Sequence, residues 1–391
     1  MKSWKEYKIE DIGIVVGGAT PSTKDSSNYD GNIPWITPKD LANHNGRYIS
    51  HGERMISLQG FNNCSCQMLP KNSILFSSRA PIGYVAIANN ELCTNQGFKS
   101  IIPNNNIVDS LFLYYLLVYY KPVIENMGSG TTFKEVSGSV MKNLAINIPE
   151  IDEQKKIAAI LSSLDDKIEL NRRINGNLEQ QAQTLFNHYF IERPDLLGKY
   201  KISNLTGIAN YLNGLAMQKF RPQIEENGIP VLKIKELGQG YTDASSDICS
   251  ENIADGYKVH NGDVIFSWSG TLMVKIWCGG LCGLNQHLFK VTSEIYPKWF
   301  YYFWTKHHLN KFIRIAQDKA VTMGHIKRSD LEASEILIPQ MDILAKLDAI
   351  INPLFSQIIE MKCENRNLAT IRDILLPRLM SGTLKIDDLN R

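Results

Sequence analysis

Several small constellations in this chain of 391 residues could do chemistry if neighbouring elements completed them. Asn32-Ile33-Pro34-Trp35 approaches the Asn/Asp-Pro-Pro-aromatic signature with which amino-methyltransferases hold an extruded base. It lacks the first Pro and has no glycine-rich cofactor loop before it, so it reads as a strand lead-in. Gly128-Ser129-Gly130-Thr131-Thr132 has glycines for a phosphate cradle, but no Lys at the spacing a nucleotide loop needs. Cys278, Cys282 and His287 are zinc-ligand types, as are Cys64 and Cys66, yet neither set supplies four ligands at recognisable spacing. Asp195 and Glu360-Met361-Lys362 carry the carboxylates and lysine of a metal-dependent nuclease, with nothing to bring them together. The expectation is a chain with no catalytic residues, no metal site and no bound cofactor.

Composition agrees with a globular protein. Apolar residues make up 43% and charged residues 21%, which excludes wholesale disorder. With 42 basic against 40 acidic residues the net charge is +2, too small for a strongly basic nucleic-acid coat. The longest apolar run, Leu111 to Tyr120, falls well short of the ~20 residues a bilayer requires and reads as a core helix. The opening MKSWKEYKIED has no apolar secretion segment, and seven cysteines, an odd number, argue for a reducing compartment. These features predict a cytoplasmic protein without a membrane anchor.

What must position any functional residue is an internal repeat. Ile33-Pro34-Trp35-Ile36-Thr37-Pro38-Lys39-Asp40-Leu41 returns as Ile229-Pro230-Val231-Leu232-Lys233-Ile234-Lys235-Glu236-Leu237, an offset of 229 − 33 = 196. Ile74-Leu75-Phe76-Ser77 returns as Val264-Ile265-Phe266-Ser267, and Asn95-Gln96 as Asn285-Gln286, both offset by 190. Tyr114-Tyr115 matches Tyr301-Tyr302 at 187, and Ile146-Asn147-Ile148-Pro149 matches Ile336-Leu337-Ile338-Pro339 at 190. Loop insertions between two copies of one fold produce such small changes of offset.

Each half begins with short β-prone runs separated by Gly, Asn, Pro and Ser, the pattern of a strand-rich domain. A helical segment follows. From Asp152 to Phe190 there is one Gly and no Pro, and Leu161, Leu164, Ile168, Asn171, Asn175, Leu178, Ala182 and Leu185 keep a heptad seam. The second half repeats it with Ile351, Leu354, Ile358, Met361, Asn365, Leu368, Arg372, Leu375 and Leu379. Neither stripe could stay exposed, so the two helices are expected to pair antiparallel, in a pseudo-twofold arrangement. The equivalent residues Asn175 and Asn365 would form a polar layer. Pro353 should kink or restart the second helix, and Pro377 and Gly382 should end it.

The predicted architecture is therefore α+β: two strand-rich domains, 1–150 and 196–339, and two spacer helices, 151–195 and 340–391. Charge follows this division: +1 and +3 on the two domains, −2 on the first helix, zero on the second helix and tail.

IPEIDEQKKIAAILSSLDDKIELNRRINGNLEQQAQTLFNHYF (148–190) and ENRNLATIRDILLPRLMSG (364–382), with the repeated Ile-Pro segments, resemble the specificity subunit of type I restriction-modification systems. The helical stretches carry the specific part of the likeness, and the globular parts match in outline. The resemblance implies two target recognition domains, each reading one half of a bipartite DNA target, with helix length setting the unread spacer. It implies no catalysis by this chain. Two modification subunits would bring S-adenosylmethionine, and restriction subunits would bring ATP and Mg²⁺.

Phosphate contacts need Lys, Arg, hydroxyls and backbone N–H groups, whereas base readout needs polar side chains at groove edges. Candidates in the first half are Thr20, Ser22, Lys24, Thr37, Lys39, Ser78, Arg79, Thr131, Thr132 and Lys134. In the second half they are Lys233, Lys235, Trp268, Ser269, Thr322, His325, Lys327 and Arg328. Gln154, Arg172, Arg173 and Gln180 are candidates for a face that docks partner helices. The run Trp299 to Trp304 could suggest base stacking, but its counterpart LFLYYLLVYY favours a buried helix. The alternative function is a coiled-coil scaffold whose repeated domains bind protein ligands.

Overall fold

A computed structural model describes residues 4–42, 44–79, 81–130, 134–318 and 324–386. They fall into two compact units: the chain up to Glu169 and again from Ala369, and Leu170–Leu368.

In the first unit the central strand is Ile74–Ser78, buried at every residue: Ile74, Leu75 and Phe76 are apolar, and the hydroxyls of Ser77 and Ser78 bond to the carbonyls of Pro81 and Gly97. Its sheet runs in the order Gly13–Gly17, Lys99–Pro103, Ile74–Ser78, Ile82–Ala88 and Tyr48–Ile49. A second sheet sets Tyr29–Ile36 between Met55–Ile56 and Cys93–Thr94. Lys5–Lys8 pairs antiparallel with Ala145–Ile148 and closes the globular part.

The second unit repeats this order: Asn210–Asn213, Leu288–Thr292, Val264–Ser267 and Met273–Ile276. Its second sheet runs Ile248–Ser250, Gly228–Leu232, Cys282–Leu284 and Lys258–Val259, and Tyr200–Asn204 pairs with Glu335–Pro339. Even the turn into the central strand recurs. Asn72 at φ 68° and Gly262 at φ 88° occupy the same left-handed position of the repeat, and those residue types tolerate it best.

The apolar run of the first half becomes the helix Ser110–Asn126, started by the Asp109 carboxylate, which accepts the Phe112 N–H at 2.9 Å. Its counterpart, Lys298–Asp318, buries Trp299 through Trp304 in the second core. The aromatic run is thus core, not a stacking platform.

Ile151–Asn187 and Met341–Met380 are the two long helices, and each unit takes a share of both. In the second unit Asn171 donates to Glu364 and Asn365, Glu179 meets Lys362, and Phe186 lies on Phe303, which lies on Phe355. The partner number falls as the first rises, so these segments pack antiparallel. In the first unit Asp165 meets Arg372, and Ile157 and Leu161 share a core with Leu376 and Leu379.

Leu161, Ile168, Asn175, Leu178, Ile351 and Ile358 are buried seam residues. Leu164, Leu185, Leu354 and Leu375 are only half-buried, and their neighbours Asp165, Phe186, Phe355 and Leu376 take the inward places. At 3.6 residues per turn the inward spacing alternates between three and four residues, and the four-residue step from Leu161, Ala182, Ile351 and Arg372 is the one taken here. Asn365 and Leu368 are also half-buried, and Asn365 receives its hydrogen bond from Asn171 rather than from Asn175.

Three expectations need correction. Pro353 does not interrupt the helix, because it sits on the exposed face, where the carbonyl of Ala349 that it leaves unbonded is open to solvent. Pro377 likewise lies inside the helix, which stops at Met380, with Gly382 at φ 70° as the terminal turn. Gln154 is not on an exposed docking face: it is 0% exposed. Its amide accepts the Asp109 N–H at 2.9 Å and donates to the carbonyls of Ile107 and Pro149. Arg172, Arg173 and Gln180 are exposed.

Candidate nucleic-acid interface

The repeat places one hydrogen-bonded frame in both units. In the first, Ser78 N–H donates to the Gly97 carbonyl at 2.7 Å, and Val136 N–H to the Ser78 carbonyl at 2.9 Å. In the second, Trp268 N–H donates to the His287 carbonyl at 3.4 Å, and Ile326 N–H to the Trp268 carbonyl at 3.1 Å. Asn95 and Asn285 brace the turn alike, with Oδ1 accepting the Gly97 N–H at 2.8 Å and the His287 N–H at 3.3 Å. Gly18 and Gly214 pack on this turn. A Cβ on Gly18 would lie 2.1 Å from the Asn95 carbonyl oxygen, and one on Gly214 would lie 2.2 Å from that of Asn285.

Different side chains hang on this common frame. The first unit carries ions: Glu135 lies 3.6 Å from Arg79 and 3.3 Å from Lys99, which leaves one positive charge in excess. The second unit carries the rings of Phe289 and His325 at the places of Lys99 and Glu135, Ser269 at that of Arg79, and the Trp268 ring at that of Ser78. The Trp268 ring centroid lies 5.8 Å from that of Phe289, 6.1 Å from His287 and 6.3 Å from His325. Asn213 Oδ1 accepts the indole N–H at 3.0 Å and fixes the ring. The Ser269 hydroxyl and His287 Nδ1 are 3.0 Å apart. Trp268, Phe289, Tyr211 and Leu331 line a cleft of ≈ 520 Å³, with Asn210 and Arg328 at its polar rim.

Among the sequence candidates, Arg79 stands with the first set, and Trp268, Ser269, His325 and Arg328 with the second. Ser78 is fully buried and gives its hydroxyl to the Gly97 carbonyl at 3.1 Å, so it builds the frame and offers DNA nothing. Ser269 is buried against His287. Thr20 bonds Gln96, one residue from Gly97. Ser22, Lys24 and Lys134 are exposed loop residues. Thr37 starts a short helix, its N–H and hydroxyl donating to Asp40 at 2.7 and 2.6 Å. Lys39 pairs with Glu53 at 2.8 Å, Lys233 with Asp247, and Lys235 with Asp243 at 3.7 Å. Lys327 is exposed, and Arg328 lies 3.7 Å from Glu332. Thr131, Thr132 and Thr322 lie outside the described residues.

Local sequence did not single out Lys99, Glu135, Asn213 or Phe289, and it offered His287 only as a zinc-ligand type. The offset between the two copies, applied to Arg79 and Trp268 and the strands beside them, would have found most of them.

The other constellations scatter. Asn32–Trp35 lies within the strand Tyr29–Ile36, with the Trp35 indole donating to the Ala19 carbonyl at 3.0 Å. The Cys278 thiol points to the Ile359 carbonyl at 3.8 Å while His287 is engaged by Ser269. Burial pushes the thiols of Cys278 and Cys282 up to about 12. Lys362 meets Glu179 at 2.6 Å and Asp195 meets Arg193 at 2.8 Å. No group of three or more His, Cys, Asp or Glu residues suited to a metal occurs among the described residues. No helix among them is long and apolar enough to cross a membrane.

The family model described as the type I restriction modification DNA specificity domain matches this chain twice, over residues 1–180 and 198–365. The MjaIX type I restriction enzyme specificity subunit of Methanocaldococcus jannaschii is 37% identical, over 99% of this chain and 95% of its own. The HindI specificity subunit of Haemophilus influenzae is 24% identical, over 98% of this chain and 100% of its own. The crystal structure of a type I S subunit from M. genitalium shares the fold. Its TM-score is 0.58 at 16% identity, and the match covers 96% of each chain.

Proposed function

The chain belongs to the type I restriction-modification specificity-subunit family, and from that membership we propose how it works as the sequence-reading and assembly subunit of a DNA-modifying complex. Each unit reads one short block of a bipartite duplex target, and the two long helices set the unread gap. One observation carries this reading: the two units hang chemically different side chains on the same hydrogen-bonded frame. A scaffold for reading two different sequences needs that combination.

The chain performs no catalysis itself. Two modification subunits dock on it and bring S-adenosylmethionine, and restriction subunits bring ATP and Mg²⁺, all in the cytoplasm. The exposed Arg172, Arg173 and Gln180 on the first long helix suit a docking face. A net charge of +2 suits a reader that draws part of its DNA affinity from partners.

Incubation of DNA and S-adenosylmethionine with the purified chain should give no methyl transfer, and adding modification subunits should start it. Transfer by the chain alone contradicts the reading. Lys327→Ala and Arg328→Ala should each weaken binding alike on all sequences and reduce the log–log salt slope by about 0.9 in magnitude, as loss of one phosphate contact does. A titration of affinity against salt checks this; an unchanged slope removes that residue from the interface.

A further inference from the structure

The two units diverge most in chemistry where their backbones agree best. Ser78 corresponds to Trp268, Lys99 to Phe289, Gly97 to His287 and Glu135 to His325, all at one offset of the repeat. The backbone hydrogen bonds that link Ser78 to Gly97 and Val136 recur in the second unit between Trp268, His287 and Ile326. One frame thus carries ions in the first unit and rings in the second. A difference in what each surface must touch can explain it.

The chemistry of each set selects a base pair. Arg79, Lys99 and Glu135 offer donors and one acceptor, which match the O6 and N7 acceptors of guanine and the amino donor of cytosine. The second set is mostly apolar: Trp268 and Phe289 wall a cleft whose indole N–H is already committed to Asn213. The apolar group that unmodified duplex DNA presents in its major groove is the C5-methyl of thymine. Arg328 at the rim is placed for the backbone beside it.

Building on the bipartite reading above, we infer that the second unit selects thymine by seating its 5-methyl group against Trp268 and Phe289. The first unit, through Arg79, Lys99 and Glu135, selects a G·C pair by hydrogen bonding.

The test uses the chain with its modification subunits and leaves the protein unaltered at first. The methylated motif is mapped, and duplexes are made with uracil for each thymine of the motif in turn. At one thymine, within one block, uracil should lower kcat/KM for methylation about tenfold, the usual order for one methyl group in an apolar site. In the other block uracil should be silent, and 7-deazaguanine, which lacks the N7 acceptor, should cost about tenfold at one guanine. Trp268→Ala should remove the uracil penalty and leave the 7-deazaguanine penalty intact. Phe289→Leu, a milder change, should reduce the uracil penalty if the alanine variant folds poorly. Uracil without effect at every position, a block pair lacking thymine, or a penalty unchanged in both variants overturns the inference. Failure of the bipartite reading looks different: the mapped motif would then be a single continuous block.

Discussion

Arg372→Ala should cost the first unit about 3–5 kcal/mol, the range for removing one partner of a buried ion pair. Asp165 is 5% exposed and holds two short bonds, from Arg372 Nη1 at 2.7 Å and from the Tyr115 hydroxyl at 2.6 Å. Without the guanidinium its charge stays buried with one neutral donor. Burial is the largest single influence and opposes charging of Arg372, yet Asp165 and Asp373 together outweigh it and hold the proton affinity of the guanidinium above its ordinary value. At ~2–4 °C per kcal/mol for a unit of this size, the melting temperature should fall by about 10 °C.

The second unit shows how the same place is filled without charge. In the repeat Phe355 takes the place of Asp165, Ala182 that of Arg372, and Tyr302 that of Tyr115. All three are buried, with the rings of Tyr302 and Phe355 5.2 Å apart. Copying that solution, as Asp165→Phe with Arg372→Ala, should recover at least half of the loss. Thermal unfolding of the two variants decides it. A single variant as stable as the parent, or a double variant worse than the single, contradicts the assignment.

Gly214→Ala should cost about 3 kcal/mol or more, at or above the upper end for overpacking, because the obstacle is backbone. The new Cβ would meet the carbonyl oxygens of Asn285 at 2.2 Å and Leu284 at 2.4 Å. Neither can withdraw freely, since Leu215 N–H is bonded to the Leu284 carbonyl at 2.9 Å and Asn285 braces His287. The strain therefore falls on the turn that carries His287, whose carbonyl accepts the Trp268 N–H. Hydrogen exchange should show lost protection within Leu170–Leu368, and the second block of the DNA motif should lose stringency. Gly18→Ala should do the same to the first unit and the first block. Unchanged protection and an unchanged motif would contradict the close approach.

The duplication was legible because a shared fold repeats its apolar strands and Ile-Pro segments at nearly constant spacing. The long helices were legible for the same reason, except where a four-residue step put Asp165 and Phe355 inward in place of Leu164 and Leu354. Contacts made only by tertiary structure were not legible. Tyr115, Asp165 and Arg372 lie far apart in sequence, so nothing local marked Asp165 as buried or Gln154 as a core residue. Lys39, Lys233 and Lys235 looked like free phosphate ligands because their carboxylate partners sit 8 to 14 positions away. At the site, loop residues such as Arg79 and Trp268 announced themselves by type. Lys99 and Phe289 did not, because a strand residue gains its neighbours from other strands.

In the proposed function one chain carries two separately furnished readers. Base-resolution mapping of methylation, in cells supplied with the modification subunits and this chain, tests it most directly. The expected result is one motif of two short specified blocks separated by a fixed number of unspecified bases, with Trp268→Ala relaxing one block and sparing the other. A single continuous motif, or both blocks relaxing together, would contradict it.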